Sequence, residues 1–82
     1  MKDTLQYLTS QLVDHPEAIL VEETGSNDRT ILTLHVHPDD MGKVIGKSGR
    51  IIKAIRDLIK LIAAKHETYV DVVLAEGEQS DK

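Results

Sequence analysis

The chain has 82 residues, a net charge of −4 and an apolar fraction of 40%, which is enough for one small domain with a core close to the lower limit of independent stability. It contains no cysteine, which excludes a disulfide framework, a thiolate metal site and a cysteine nucleophile. Tyr7 and Tyr69 are its only aromatic residues, so the core is aliphatic and the chain argues against folds that stack bases on aromatic platforms. The first residues carry no apolar signal core and no run approaches membrane-spanning length, giving the expectation of a soluble, cytoplasmic protein with no membrane segment.

The spacing of Leu5, Leu8 and Leu12 predicts a helix over 3–13, with Asp3 or Thr4 as its cap and Asp14-His15-Pro16 as its stop. Residues 18–23 and 30–36 read as two strands joined by the turn-rich stretch Thr24-Gly25-Ser26-Asn27-Asp28, which makes a hairpin. Leu32, Leu34 and Val36 share one face of the second strand, and Thr33 and His35 the other. Pro38-Asp39-Asp40 opens a short helix that reaches about Ile45 and stops at Gly46. A long helix follows from about Gly49 to Lys65, with Ser48 as a candidate N-cap. Tyr69–Leu74 alternates as a last strand, and the polar tail beyond it is expected to fray. The order helix–strand–strand–helix–helix–strand predicts an α+β domain over 1–76 and a C-terminal tail over 77–82, with no repeat and no second domain.

The densest signal is Val44-Ile45-Gly46-Lys47-Ser48-Gly49-Arg50-Ile51-Ile52. Glycines at both ends of a two-residue step let the chain turn sharply between helices and bring bare backbone close to a ligand. Lys47 adds a positive charge near the free N–H groups of the next helix, a suitable place for a phosphate. From Lys43 to Lys65 there are seven bases (Lys43, Lys47, Arg50, Lys53, Arg56, Lys60, Lys65) against Asp57 alone, while the rest of the chain has three bases and thirteen acids. A locally basic element on an acidic body attracts phosphates where they dock, with weak affinity and strong salt dependence.

This segment resembles the signature of the KH domain, an aliphatic-Ile-Gly-x-x-Gly-x-x-Ile run, and the order of elements is similar to the type II arrangement, a three-stranded sheet with helices packed on one face. The likeness covers roughly residues 3–75, and it is greatest to the small bacterial proteins made of one KH domain and little else, the KhpA-like group. It implies a protein that binds short single-stranded RNA with little sequence preference, between the Gly46–Gly49 loop, its flanking helices and the second strand, as a post-transcriptional regulator or RNA chaperone. Mapped onto this chain, it gives Ile45, Gly46, Lys47, Ser48, Gly49 and Arg50 as binding residues, with Lys43 and Lys53 flanking them. Lys47 and Ser48 also fit plain solvent-facing turn residues, and Ile45 and Ile51 also fit plain core residues.

On the long helix Ile51, Ile55, Leu58 and Ile62 share a stripe, flanked by Ile52 and Ile59 on one side and Ala54 and Leu61 on the other. The apolar arc covers roughly half the circumference, more than a typical surface helix needs. Either neighbouring elements bury all of it, or a remainder around Ile55, Ile59, Leu61 and Ile62 pairs with a partner. The resemblance implies a homodimer and pairing with a larger KH-containing protein of the Jag (KhpB) type, a dimerising adaptor being the alternative role.

Other motifs carry less. Gly42 precedes Gly46 by four residues, one short of the phosphate-loop count before Gly46-Lys47-Ser48. His35 and His37 share a strand face but have no third ligand at motif spacing, so no metal or cofactor is expected. Asp39 and Asp40 complement a helix N-terminus, and Ser48 has no base at a recognisable spacing, so no catalytic residue and no enzyme activity are expected.

Overall fold

In a computed structural model of the chain, residues 1–26 and 28–75 are described, and the expectations for Asn27 and for the tail from residue 76 fall outside them. Helix α1 (Lys2–Ser10) leads through a 3₁₀ turn at Pro16–Ala18 into β1 (Leu20–Ser26) and β2 (Arg29–His35). A second 3₁₀ turn at Pro38–Asp40 opens α2 (Met41–Ile45). A third, Lys47–Gly49, joins it to α3 (Arg50–Lys65), and β3 (Tyr69–Leu74) completes the α+β order expected from the sequence. The sheet runs β1-β2-β3, with β1 antiparallel to β2 and β3 parallel to it. Parallel pairing needs a crossover, and α2, the loop and α3 supply it.

The core lies between the sheet and the helices. Val21, Leu32, Leu34, Val70 and Val72 alternate onto one sheet face and meet Leu5 of α1 and Ile55, Ile59 and Ala63 of α3, all buried. Val44 of α2, fully buried, closes one end. The opposite sheet face stays open, with Leu20, Tyr69 and Val73 exposed and His35 Nε2 held by Glu22 Oε1 at 2.8 Å. No described helix is long and apolar enough to cross a membrane.

Helix α1 and strand β1 differ most from the sequence reading, and β2 lies one residue earlier than expected. Helix α1 ends at Ser10 rather than residue 13, and it starts without a side-chain cap from Asp3 or Thr4. The hydroxyls of Thr9 and Ser10 donate back to the carbonyls of Leu5 and Tyr7 at 2.8 and 2.7 Å, competing with the backbone ladder near the helix end. Strand β1 begins and ends later than expected, because Pro16 places Ala18 in a 3₁₀ turn and Gly25 pairs with Thr30 inside the ladder. A Cβ on Gly25 would stand 2.7 Å from the Arg29 carbonyl oxygen, so glycine there marks a close strand approach rather than a turn.

Asp40, fully buried, is tied to the α1–β1 connection rather than to its own helix. Its carboxylate accepts the backbone N–H groups of Asp14 at 3.2 Å and His15 at 3.0 Å. Burial alone would raise its pKa, but these two donors, with His15 and Lys43 nearby, hold it below the ordinary 3.8. A lowered folded pKa gives stability that is present above the unfolded value and is lost as the pH falls through the folded one. Asp40→Asn is therefore expected to lower the thermal midpoint at neutral pH and to flatten the loss of stability below about pH 4, read by thermal melts across an acid series. Ile59→Ala is expected to cost about 2–4 kcal/mol in denaturant unfolding, whereas Leu61→Ala, at an exposed position, stays within about 0.5 kcal/mol.

Candidate nucleic-acid interface

The α2–α3 elbow is built around a missing side chain. Gly46 ends α2 with φ 76° and ψ 174°, and a Cβ there would lie 2.5 Å from Ile51 Cγ1. Only glycine has both the conformation and the space. Ser48 follows with φ 58° and ψ 25°, and Gly49, at φ 73°, is the residue before α3. Ser48 is thus one position too early to cap α3, and no side chain caps that helix. Lys47 and Ser48 are exposed, while Gly46 and Gly49 are half-buried.

Ion pairing divides the basic segment. Lys43 Nζ lies 3.3 Å from Asp14 and 4.0 Å from Asp40. Lys53 meets Asp57 at 2.9 Å, and that contact, ahead of the opposing desolvation, holds the Asp57 carboxyl below its ordinary range. Arg56 and Lys60 both reach Asp71 Oδ1, at 3.3 and 3.6 Å. Among the described residues, Lys47, Arg50 and Lys65 are the cations of this segment with no acidic partner.

Two grooves flank α3. One, about 310 Å³, is lined by Ile45, Ile52 and Arg56 on the helix side and by Val72, Val73 and Leu74 of β3. The wall that faces the loop's helices is thus the third strand, not the second. Pairing order explains this: β2 is the central strand and β3 the edge. Ile52, Arg56 and the β3 residues were missed as groove candidates, since a sequence names strands without ordering them. The other groove, about 420 Å³, lies between α1 and α3 and is lined by Leu8, Leu12, Arg50, Ile51, Ala54, Ile55 and Leu58, with Gln11. Arg50 therefore stands on the α1 side of α3.

The residues expected on a partner face are split. Ile59 is fully buried and Ile55 is 7% exposed, both inside this chain's own core. Ile62 is half-buried, and Leu61 is 69% exposed, with Leu58 beside it at 40%. His35 and His37 are also separated: His37 stacks on His15 with centroids 4.1 Å apart and planes at 22°. His15, His37 and Asp39 offer ligand atoms within 4.8 Å of one another. However, His37 Nδ1 accepts the Asp39 N–H, and stacked rings aim their in-plane lone pairs side by side rather than at one point.

A family model described as KhpA/KhpB, KH domain, matches residues 2–74. A protein named RNA-binding protein KhpA from Clostridium perfringens is 47% identical over 72 residues, 88% of this chain and 96% of the relative. Its namesake from Clostridium acetobutylicum is 49% identical over the same shares, and that from Chlamydia caviae 41% identical over 95% of this chain and 100% of its own. With the crossover, the parallel β2–β3 pair and the glycine elbow in place, the chain belongs to the KhpA/KhpB family of KH domains.

Proposed function

We propose that this chain is a binding module for short single-stranded RNA. The Gly46–Gly49 loop meets the sugar–phosphate backbone, and the groove between α3 and β3 takes the bases on the aliphatic floor of Ile45 and Ile52. The observation that carries this is the state of Lys47: it projects from a sterically fixed bend and has no acidic partner among the described residues. Relatives named RNA-binding proteins support the ligand class. Contacts to phosphate position a strand without reading it, so sequence preference is low. The cellular role that fits is that of a cytoplasmic post-transcriptional regulator or RNA chaperone.

A second surface supports self-association. The α1–α3 groove is almost wholly apolar, and Leu58 and Leu61 are exposed at and beyond its edge. Covering it with a second copy, or with a larger KH-containing protein of the KhpB type, buries surface that this small core leaves open. A dimer also brings two loops into one particle and adds avidity for a single RNA.

The double change Lys47→Asp, Ser48→Asp is expected to weaken RNA binding by more than about tenfold with an unchanged thermal midpoint, read by fluorescence anisotropy and melting. Unchanged affinity at moderate salt overturns the loop reading. Ion pairing sets a sharper expectation: Lys47→Ala reduces the slope of log affinity against log salt by about 0.7, whereas Lys43→Ala leaves it nearly unchanged. For the second surface, Leu58→Asp with Leu61→Asp is expected to bring the light-scattering mass down to the 9.1 kDa of one chain; equal masses for wild type and variant remove this face as the interface.

A further inference from the structure

Arg56 is the only polar side chain among the six residues that line the α3–β3 groove. Its position is fixed from outside the groove. Nη2 donates to Asp71 Oδ1 at 3.3 Å, and the same oxygen accepts the Val72 N–H at 2.8 Å and lies 3.6 Å from Lys60 Nζ. The Asp71 carboxyl is held below its ordinary range, since the Val72 N–H and the two cations outweigh the opposing effect of burial. It is therefore ionised at neutral pH and keeps its hold on the guanidinium.

A guanidinium has five donors in a planar fork. Asp71 engages one of them, and Nε is buried without a partner. Among the described residues no acceptor pairs with Nη1, and the side chain is 43% exposed. Asp71 takes one of the two Nη2 hydrogens, so Nη1 and the second Nη2 N–H remain for a ligand. Two donors held side by side match two acceptors held side by side. Cytosine presents O2 and N3, and guanine presents O6 and N7. In uracil a donor separates the two carbonyl oxygens, and in adenine the amino group separates N1 from N7. Ile45, Ile52, Val72, Val73 and Leu74 supply apolar side chains that accept any base face, so discrimination by side chains in this groove falls to Arg56.

We propose that Arg56, oriented by Asp71, reads the edge of the base in the α3–β3 groove and favours cytosine or guanine over adenine and uracil. This rests on the reading of that groove as the base site of an RNA-binding module. Asp71 is a positioning residue: it touches Arg56 and the strand, and it turns a flexible cation into a fixed fork. Overall specificity stays modest, because one half-exposed side chain does the reading.

The test uses the full chain and four labelled short oligoribonucleotides: homopolymers of cytidine, uridine and adenosine, and an alternating uridine–guanosine strand. By anisotropy the wild type is expected to bind the cytidine or the guanosine-containing strand at least about fivefold tighter than the uridine and adenosine strands. Replacing guanosine with 7-deazaguanosine distinguishes the two bases, since it removes the N7 acceptor and leaves cytidine binding untouched. Arg56→Lys keeps the charge but loses the planar fork. It is expected to weaken cytidine or guanosine binding more than uridine binding and so cut the preference below about twofold. Asp71→Asn is expected to reduce the preference in the same way without lowering uridine affinity, a split that a merely structural role does not produce. Lys47→Asp with Ser48→Asp lowers all four affinities together. Equal wild-type affinities for the four strands, or a preference that survives Arg56→Lys, overturn the proposal and leave the loop reading standing. Failure of the wild type to bind any of the four overturns both.

Discussion

The bare Cα of Gly46 against Ile51 is the contact on which the rest of the elbow depends. It lets α2 stop and α3 start with only the four residues Gly46–Gly49 between them, and it leaves Lys47 and Ser48 exposed. Both flanks are anchored: Val44, two residues before the bend, is fully buried, and Ile51 packs against the core. A loop already fixed in this way spends little ordering free energy when it meets a ligand. A flexible ligand docking there bears most of that cost.

The fixed bend also decides which charges are useful. Read along the sequence, the basic segment appears uniformly positive. In three dimensions most of it is neutralised at home, by Asp14, Asp57 and Asp71. The overall negative charge is therefore compatible with an anionic ligand, because Lys47 has no acidic partner among the described residues. Exposed ion pairs add little stability; here their larger effect is to leave Lys47, Arg50 and Lys65 as the unpaired cations of the segment among the described residues.

Much of this was legible in the residues. The alternation of Tyr69–Leu74 gave β3 with its observed bounds, and the glycine pair located the elbow, because both rest on local geometry. Pro38 likewise marked the start of its turn. What escaped depended on contacts distant in sequence. The end of α1 turned on hydroxyls competing for carbonyls, and Gly25 looked like a turn residue because its close neighbour is on the facing strand. The apolar arc of α3 was visible, but not its division: the side of Ile59 and Ala63 meets the sheet, while that of Ile51, Leu58 and Leu61 is left to the α1 groove and solvent. Ser48 as a cap failed by one residue, since the left-handed pair Ser48–Gly49 delays the first turn of α3.

The outer margin of β3 has one more consequence. The Ala75 N–H donates to the Leu34 carbonyl, so by alternation the Val72 N–H points away from β2. It is just the donor an incoming β-strand would seize, and Asp71 already occupies it at 2.8 Å. A foreign strand approaching that margin meets a carboxylate instead of a vacant rung. That rung of the β3 edge is thereby closed to sheet extension by another chain.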